Sequence, residues 1–340
     1  MPAKIFGERW EIIKSLSEGG QGFIYLVKNL LDKDDNIYVL KRLKRADRKD
    51  RFEREIEAIK NTDSPYITKI LDASTTEDKD FYFVMPYIET TLNDILTQLK
   101  ADFLRCLKIL KKICLGVESA HKNKPQIIHR DLKPLNILID EKDDPLVIDF
   151  GICHLDKPER FTMSQEQVGS RFYIAPECEN GRSEEIGPHT DIYSLGKVLY
   201  AMISGGKIFS RERQNEDEFN LEKKLDNKRT KFITEIINNC VQKDINKRYI
   251  NVGNLIASVD EKIGLIEDGF YPLNYGNEFC RFCGKGKLEN FGQLRGSILQ
   301  RGSSQRDILP YRMIIWGCPE CGIAYIFKDD IYGPKKDLIP

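Results

Sequence analysis

The amino-acid sequence predicts an α+β domain with two lobes, β-rich first and helical afterwards, followed by a small β domain. Residues 9–45 alternate apolar and polar positions around a glycine-rich turn, which is typical of strands joined by hairpins. From Leu92 to His121 the apolar positions repeat at the helical period instead. Because the strands come first and the helices afterwards, a two-lobed α+β domain is favoured over a parallel sheet.

Shorter patterns assign further elements of the large domain. Phe52 and Ile56 have helical spacing within a charged stretch, and two runs of β-branched and aromatic residues favour short strands. A long apolar segment that a glycine pair closes is typical of a buried helix. The predicted elements are a helix over 48–61, strands over 81–85 and 147–150, and a helix over 191–205.

The boundary between the two domains is predicted from a change in composition near Leu265, after which Gly, aromatic and β-branched residues become frequent. We place this boundary at about 265–275. The sequence is thereby divided into a large domain over residues 9–265 and a small domain over residues 271–340. A chain of 340 residues is long enough to form both.

Composition and charge exclude several classes of protein. Hydrophobic residues make up 41% and charged residues 31%, which is ordinary for a globular protein. The formal net charge is zero, so no overall field steers the chain toward nucleic acid or a membrane. The N-terminal residues lack the apolar core of a signal peptide, and no run approaches the ~18 apolar residues of a spanning helix. We therefore expect a cytoplasmic protein without a membrane partner.

The run HRDLKPLN at 129–136, followed by DFG at 149–151, is the most informative stretch of the sequence. It provides an acid, a cation and an amide close together, and then a second acid on a following turn. These groups suit a site that holds Mg²⁺, a triphosphate and a hydroxyl nucleophile. The ordered motifs resemble the signature of the protein-kinase family.

The resemblance implies a bilobal protein-kinase fold and a role for each residue of this stretch. Asp131 matches the acid that accepts or orients the substrate hydroxyl. Lys133 resembles the lysine that stabilises the transferring phosphoryl group, and it favours Ser/Thr over Tyr substrates. Asn136 and Asp149 match the two ligands of Mg²⁺.

LSEGGQGFIYLV at 16–27 resembles the glycine-rich loop of the family, although Ser17 stands where the first glycine usually is. Such a loop brings backbone amides over the phosphates of ATP, where a Cβ would obstruct them. Taken alone, the segment also fits an ordinary glycine-rich hairpin. The residues implied to contact the nucleotide are Leu16, Gly19, Gly20, Gly22 and Ile24.

Two charged residues and a hinge complete the implied nucleotide site. Lys41 resembles the lysine that grips the phosphates, and Glu55 resembles the helix glutamate that orients it. For any single Lys an ordinary exposed strand lysine is the commoner interpretation, and for Glu55 the alternative is a surface helix pair; its place in the ordered series of motifs favours function. FYFVMPYIE at 81–89 resembles the strand and hinge between the lobes, with nucleotide contacts implied for Met85, Pro86 and Ile88.

Other matched positions imply bracing and regulation. Asp191 resembles the acid that braces the catalytic loop, and Glu177 resembles the acid that pairs with a later arginine, for which Arg248 is the candidate. Arg130 resembles an arginine that pairs with a phosphorylated residue of the activation loop. The candidate acceptors in that loop are Thr162 and Ser164.

Four of the nine cysteines form two CxxC pairs near the end of the chain, each followed by glycine. They are Cys280, Cys283, Cys318 and Cys321. Four thiolates predict a closed tetrahedral Zn²⁺ site of structural type, and the segment resembles the zinc-ribbon family. Two redox motifs or a pair of disulfides are the alternatives. Strands are predicted over 311–316 and 323–327, with a mobile loop over 292–306.

Together the motifs predict a Ser/Thr protein kinase that uses ATP and Mg²⁺, acts on protein substrates and carries structural Zn²⁺ in its tail. The zinc-binding tail is expected to dock a substrate or to regulate the kinase. The alternative is a nucleotide-binding pseudokinase scaffold whose zinc ribbon binds protein or nucleic acid. Every catalytic position of the family is filled, which favours the active enzyme.

Overall fold

The computed structural model describes the chain in ten segments, which are residues 5–18, 22–32, 35–44, 49–75, 81–150, 171–179, 183–267, 289–299, 308–317 and 324–328. The chain divides into two compact units. The first comprises residues 1–225 and 233–261, and the second comprises residues 226–232 and 262–340.

The secondary structure follows the predicted order of strands, helices and further strands. The strands are β1 (Ile5–Phe6), β2 (Trp10–Glu18), β3 (Gly22–Asn29), β4 (Ile37–Leu43), β5 (Asp72–Ser74), β6 (Tyr82–Pro86), β7 (Ile137–Ile139), β8 (Pro145–Val147), β9 (Glu289–Leu299), β10 (Ile308–Gly317) and β11 (Ala324–Lys328). The helices are α1 (Lys49–Lys60), α2 (Leu92–Leu99), α3 (Phe103–His121), α4 (Pro176–Glu179), α5 (Pro188–Ser204), α6 (Leu221–Lys224), α7 (Thr230–Cys240) and α8 (Val252–Glu267).

The small lobe is a six-stranded antiparallel sheet in the order β1-β2-β3-β4-β6-β5, with α1 packed on one face. Side chains alternate between the faces of a strand. On β4, Val39 packs with Phe52 of α1, whereas Leu40 packs with Trp10 on the opposite face. The same alternation puts Lys41 on the face that carries α1. The period of the strand therefore brings this lysine toward the helix.

The large lobe is built around α5, which is buried almost throughout its length. Helices α2 and α3 pack against it. Gly196 allows close contact, because a Cβ there would collide with the side chains of Cys240 and Val241. The helix ends at Gly205, whose left-handed φ of 73° lets the chain turn away. The prediction of a buried helix closed by glycine is confirmed.

A two-stranded ribbon of β7 and β8 carries the functional segments at its ends. The strand predicted over 147–150 is wrong in its bounds, because β8 ends at Val147. The physical reason lies at Asp149, whose φ of 55° is left-handed and incompatible with an extended strand. This turn ends the strand and changes the direction in which Asp149 is presented.

The second unit contains a three-stranded antiparallel sheet in the order β11-β10-β9. The predicted strands near residues 311–316 and 323–327 correspond to β10 and β11. The loop predicted over 292–306 is partly wrong, because β9 continues to Leu299 and pairs with β10. The glycines in this segment favoured a loop, but strand pairing uses backbone groups and does not need side chains. Within the ten described segments, no helix is both long and apolar enough to span a bilayer.

Candidate active site

Lys41 forms the ionic centre of the small lobe. Its Nζ donates hydrogen bonds to Oε1 of Glu55 at 2.7 Å and to Oδ1 of Asp149 at 2.9 Å. Lys41 and Glu55 are buried, while the side chain of Asp149 is 32% exposed. The predicted contact between Lys41 and Glu55 is therefore formed, and it extends to the aspartate of DFG.

The protonation of these three groups is coupled through Lys41. Burial opposes the charge of this lysine, but the charges of Asp149 and Glu55 outweigh it and raise its pKa. Burial is also the largest influence on Glu55, and it raises the pKa of that carboxyl. The pKa of Asp149 is lowered, because the charge and hydrogen bond of Lys41 overcome its desolvation. Lys41 thus favours the charged form of Asp149, whereas burial favours the neutral form of Glu55.

The catalytic loop, residues 129–136, brings two side chains to the carboxylate of Asp131. Oδ2 of Asp131 accepts hydrogen bonds from Nζ of Lys133 at 2.8 Å and from Nδ2 of Asn136 at 2.9 Å. The same Nδ2 also donates to the backbone oxygen of Asp131 at 2.8 Å. The side chains of Asp131 and Lys133 are 13% and 17% exposed, so they remain accessible. The loop thereby holds the carboxylate of Asp131 in a fixed orientation.

The backbone of this loop is braced by a buried acid, as the sequence predicted. Oδ2 and Oδ1 of Asp191 accept the N–H groups of His129 and Arg130, each at 2.8 Å. Nε2 of His121 lies 2.7 Å from the same carboxylate. The sequence interpretation did not assign His121, which stands alone in a helix 70 positions from Asp191. An acid-binding histidine at such a distance leaves no local sequence signal.

His129 connects the segment around Asp131 to the segment around Asp149. Its Nε2 lies 2.9 Å from the backbone oxygen of Ile148, and its Nδ1 accepts the N–H of Asp131 at 3.3 Å. Both contacts fit a neutral ring that donates from Nε2. Burial lowers the pKa of His129 and so favours this neutral form. The ring thus links the catalytic loop to the residue that precedes Asp149.

The residues implied to contact nucleotide lie along β2, β3 and β6. Leu16 is 43% exposed, Ile24 packs at the edge of the α1-facing core, and Met85 is buried in it. Pro86 ends β6, and Ile88 follows it. A Cβ on Gly22 would collide with the carbonyl oxygen of Arg42, so close strand pairing is a second reason for glycine there. Gly19 and Gly20 lie outside the described residues.

Asn136 and Asp149 are suited to hold Mg²⁺. Nδ2 of Asn136 is used by Asp131, and Oδ1 of Asp149 is used by Lys41. The remaining oxygen of each side chain is the atom suited to a hard cation. Among the described segments, no cluster of three His, Cys, Asp or Glu residues forms a metal site. The four cysteines predicted to bind zinc lie outside those segments.

Arg130 is half-buried and has unused hydrogen-bonding capacity. Its Nε and Nη1 have no partner within the described part of the chain. Burial lowers the pKa of this guanidinium from its usual value. The predicted phosphate acceptors Thr162 and Ser164 lie in a segment outside the described residues, so their relation to Arg130 stays a prediction.

A second buried ion pair lies deeper in the large lobe. Nη1 and Nη2 of Arg248 donate to the two oxygens of Glu177 at 2.7 and 3.0 Å. Oγ1 of Thr190 adds a hydrogen bond to Oε1 of Glu177 at 3.0 Å. The pair predicted from the sequence is therefore present. It is closed to solvent, with both side chains at most 2% exposed.

Comparisons with known proteins agree with this geometry. The chain is 30% identical over 275 residues to a probable serine/threonine-protein kinase of Clostridium perfringens, covering 77% of this chain and 39% of the relative. It is 34% identical over 210 residues to the serine/threonine-protein kinase PrkC of Bacillus subtilis, covering 60% of this chain and 32% of PrkC. The chain thus spans less than half the length of these curated relatives.

The fold has a counterpart among solved structures. The kinase domain of PknI from Mycobacterium tuberculosis superposes with a TM-score of 0.57 at 18% identity, covering 77% of this chain and 98% of that domain. The two-lobed part of the chain therefore has the protein-kinase fold. The sequence profile of the protein kinase domain matches residues 10–255. On a match that extends over most of its length, the chain belongs to the protein kinase family.

Proposed function

We propose that this chain is an ATP-dependent serine/threonine protein kinase, which transfers the γ-phosphoryl group of ATP to hydroxyl groups of proteins. The single observation that carries the proposal is the arrangement around Asp131. Its carboxylate is accessible and is fixed by Lys133 and Asn136 at 2.8 and 2.9 Å. Phosphoryl transfer depends mainly on positioning and electrostatics, which such a fixed carboxylate provides.

Each charged group has a distinct task in this proposal. Asp131 orients the attacking hydroxyl and receives its proton. Lys133, already beside that carboxylate, stabilises the negative charge that moves with the phosphoryl group. Lys41 holds the phosphates of ATP, and Glu55 keeps this lysine at the required position. These tasks need no further covalent chemistry from the protein.

The remaining oxygens of Asn136 and Asp149 provide the ligands for Mg²⁺. When bound there, Mg²⁺ neutralises phosphate charge as it develops. Because Lys41 also contacts Asp149 at 2.9 Å, the lysine and this metal ligand are positioned together. Family membership and relatives named as serine/threonine kinases support ATP and protein hydroxyls as the two substrates.

The test is transfer of radiolabel from ATP to the chain itself and to a generic protein substrate. Asp131→Asn keeps the size of the side chain but removes the negative charge, so we expect transfer to fall by at least about 10²-fold. Asp143→Asn is the matched control, since the partly exposed Asp143 pairs with Arg105 and not with a residue of the catalytic loop.

The alternative of a nucleotide-binding pseudokinase scaffold makes the opposite prediction. In that case ATP would bind, but the label in wild type would not exceed the label in Asp131→Asn. Equal labelling of the two proteins would also contradict the assignment of Asp131 as the catalytic residue.

We also propose that the second unit holds one structural zinc ion through Cys280, Cys283, Cys318 and Cys321. The register of the sheet supports this proposal. Gly317 of β10 pairs with Glu289 of β9 and with Ala324 of β11. In the sequence, the first CxxC pair precedes β9 and the second lies between β10 and β11. The start of β9, the end of β10 and the start of β11 therefore lie at the same end of the sheet, which is what a tetrahedral site shared by the two pairs would need.

Metal analysis tests the zinc proposal directly. We expect one zinc ion per chain in wild type and loss of that zinc in Cys318→Ser/Cys321→Ser, whereas Cys178→Ser, a cysteine of the first unit, retains it. Wild type without zinc, together with a mass that shows disulfides after alkylation, would support the alternative of paired or redox-active cysteines.

Regulation is proposed at Arg130. Phosphorylation of Thr162 or Ser164 adds negative charge that a guanidinium can bind, and Arg130 has two nitrogens without a partner in the described segments. We expect autophosphorylation at one of these sites to raise activity in wild type but not in Arg130→Gln. Phosphopeptide mass spectrometry that finds both sites unmodified in active enzyme would contradict this proposal.

A further inference from the structure

The catalytic loop exposes one leucine at the edge of the catalytic centre. Leu135 lies in the 3₁₀ turn Pro134–Asn136 and is 46% exposed. The flanking Pro134 and Asn136 are buried, as is Leu132. A leucine exposed to this extent between buried neighbours is not needed for packing of the loop. It provides apolar surface that another molecule can cover.

The hydrogen bonds of the loop limit the distance between Leu135 and the reacting centre. The Cα of Leu135 is about 3.8 Å from that of Asn136. The amide Nδ2 of Asn136 lies 2.9 Å from Oδ2 of Asp131. With the length of the Asn136 side chain included, the Cα of Leu135 lies within about 10 Å of the Asp131 carboxylate. An extended peptide rises about 3.3 Å per residue, so this span corresponds to three residues or fewer.

Two charged residues close to Leu135 in the sequence or on the neighbouring helix have hydrogen-bond partners inside the chain. Lys133 pairs with Asp131 at 2.8 Å. On the neighbouring helix α2, which packs against the turn, the carboxylate of Asp94 accepts the N–H and hydroxyl of Thr91 at 2.8 and 2.6 Å. A charged side chain placed over Leu135 would lose water against an apolar surface. An apolar side chain would gain from covering the leucine.

We propose that Leu135 selects protein substrates with a large apolar side chain within three residues of the acceptor serine or threonine. This inference rests on the proposed kinase activity and specifies its substrate class. Leu135 is a specificity residue that contacts the substrate chain and does not take part in the transfer. Since about half of a leucine side chain is available, the expected preference for an apolar over a charged residue is about fivefold in kcat/KM.

The experiment uses the full chain and a set of serine peptides. Each peptide carries Leu, Glu or Lys at one of the three positions on either side of the acceptor. We compare wild type with Leu135→Glu and Leu135→Met, and measure the ratio of kcat/KM values for the three peptides at each position. Because the ratio is taken within one preparation, a change in the folded fraction cancels.

At one or more positions, wild type is expected to prefer Leu over Glu and Lys by about fivefold. Leu135→Met retains this preference. Leu135→Glu reverses it toward Lys at the same position, because the new carboxylate provides a counter-ion. The matched control is Leu31→Glu, which makes the same change on a leucine that is 72% exposed in the small lobe. It retains the wild-type ratios.

Two results would overturn the role of Leu135 while leaving the kinase activity intact. One is equal use of all peptides by wild type, and the other is an unchanged preference in Leu135→Glu. Labelling of the chain itself without labelling of any peptide also counts against it. By contrast, if wild type labels neither itself nor any peptide above the Asp131→Asn background, the proposed activity fails and this inference fails with it.

Discussion

Two buried lysines, one in each lobe, show how the same side chain can support chemistry or structure. Lys41 in the small lobe is 5% exposed and pairs with the carboxylates of Glu55 and Asp149. Lys197 in the large lobe is fully buried, and its Nζ donates to the backbone oxygens of Phe209 and Arg211, both at 2.7 Å. The ring of Phe209 lies 3.5 Å from the same nitrogen.

The difference lies in the partners. The partners of Lys41 are carboxyl groups, and one of them, Asp149, is 32% exposed toward solvent. A phosphate can therefore approach this lysine and compete for its hydrogen bonds. The partners of Lys197 are two uncharged carbonyl oxygens and a buried ring, which hold the segment after α5 in place. We infer that burial of a lysine indicates function when its partners are carboxyl groups that solvent can reach.

Replacement of Lys41 should have the largest effect. In Lys41→Met we expect phosphoryl transfer to fall by about 10²- to 10³-fold, because a preorganised cation at the phosphates is lost. The unfolding temperature should change little, since burial already raises the pKa of Glu55 and the carboxyl can take up a proton. Radiolabel transfer and thermal unfolding on the same preparation measure both effects. A large loss of stability with normal transfer per folded molecule would reverse the roles of the two lysines.

Replacement of Lys197 should have the opposite profile. Lys197→Met removes the donor from the buried carbonyl oxygen of Phe209 and from that of Arg211, which costs about 2–4 kcal/mol of unfolding free energy. For a domain of this size the unfolding temperature then falls by roughly 4–16 °C. Transfer per folded molecule should stay within about twofold of wild type, since no catalytic group is touched. If instead transfer is lost without loss of stability, Lys197 acts on the catalytic site.

The two lysines also show what the sequence could predict. Lys41 was assigned because it stands in order between the glycine-rich loop and HRDLKPLN, and the structure forms its contact with Glu55. Lys197 sits in a segment correctly predicted to be a buried helix, yet no sequence pattern indicates where its charge is satisfied. Its acceptors come from a loop 12 and 14 positions further on, whose path depends on tertiary packing.

Elsewhere the sequence failed where backbone geometry was decisive. Apolar residues around Asp149 predicted a strand, but the left-handed φ of Asp149 ends β8 at Val147. Glycines predicted a loop where β9 runs to Leu299, because pairing with β10 depends on backbone groups rather than side chains. Motif order predicted which side chains meet, whereas local conformation depended on neighbours distant in the sequence.

A pH test compares the buried acid pairs of the two lobes. Burial opposes ionisation of Glu177, but the hydrogen bonds and charge of Arg248 prevail and lower its pKa. A lowered pKa contributes stability above the unfolded pKa of Glu, about 4.3, and this stability is lost as pH falls through the folded value. Near neutral pH, Glu177→Gln should therefore be less stable than wild type by about 1–2 kcal/mol. Chemical denaturation at several pH values measures the difference.

The difference should shrink as the pH falls below about 4, because the carboxyl of wild type becomes neutral too. For Glu55 the stability difference between wild type and Glu55→Gln should not shrink as the pH falls, since burial raises the pKa of Glu55 and favours its protonated form. Glu55→Gln should then cost less stability than Glu177→Gln near neutral pH, while reducing transfer more. If the stability of the two variants depended on pH in the same way, the buried carboxyl groups of Glu55 and Glu177 would not differ in protonation as proposed.

The smallest effect is expected where the same ionic contact lies in the open. Nε and Nη2 of Arg105 donate to the two oxygens of Asp143 at 2.7 and 2.8 Å, a fork like that of Arg248 on Glu177. The side chains are 33% and 39% exposed, so water competes for both. Asp143→Asn should cost less than about 1 kcal/mol of unfolding free energy. The φ of 61° at position 143 suits Asn as well as Asp, which isolates the charge. A cost equal to that of Glu177→Gln in the same denaturation experiment would show that burial is not what distinguishes the two forks.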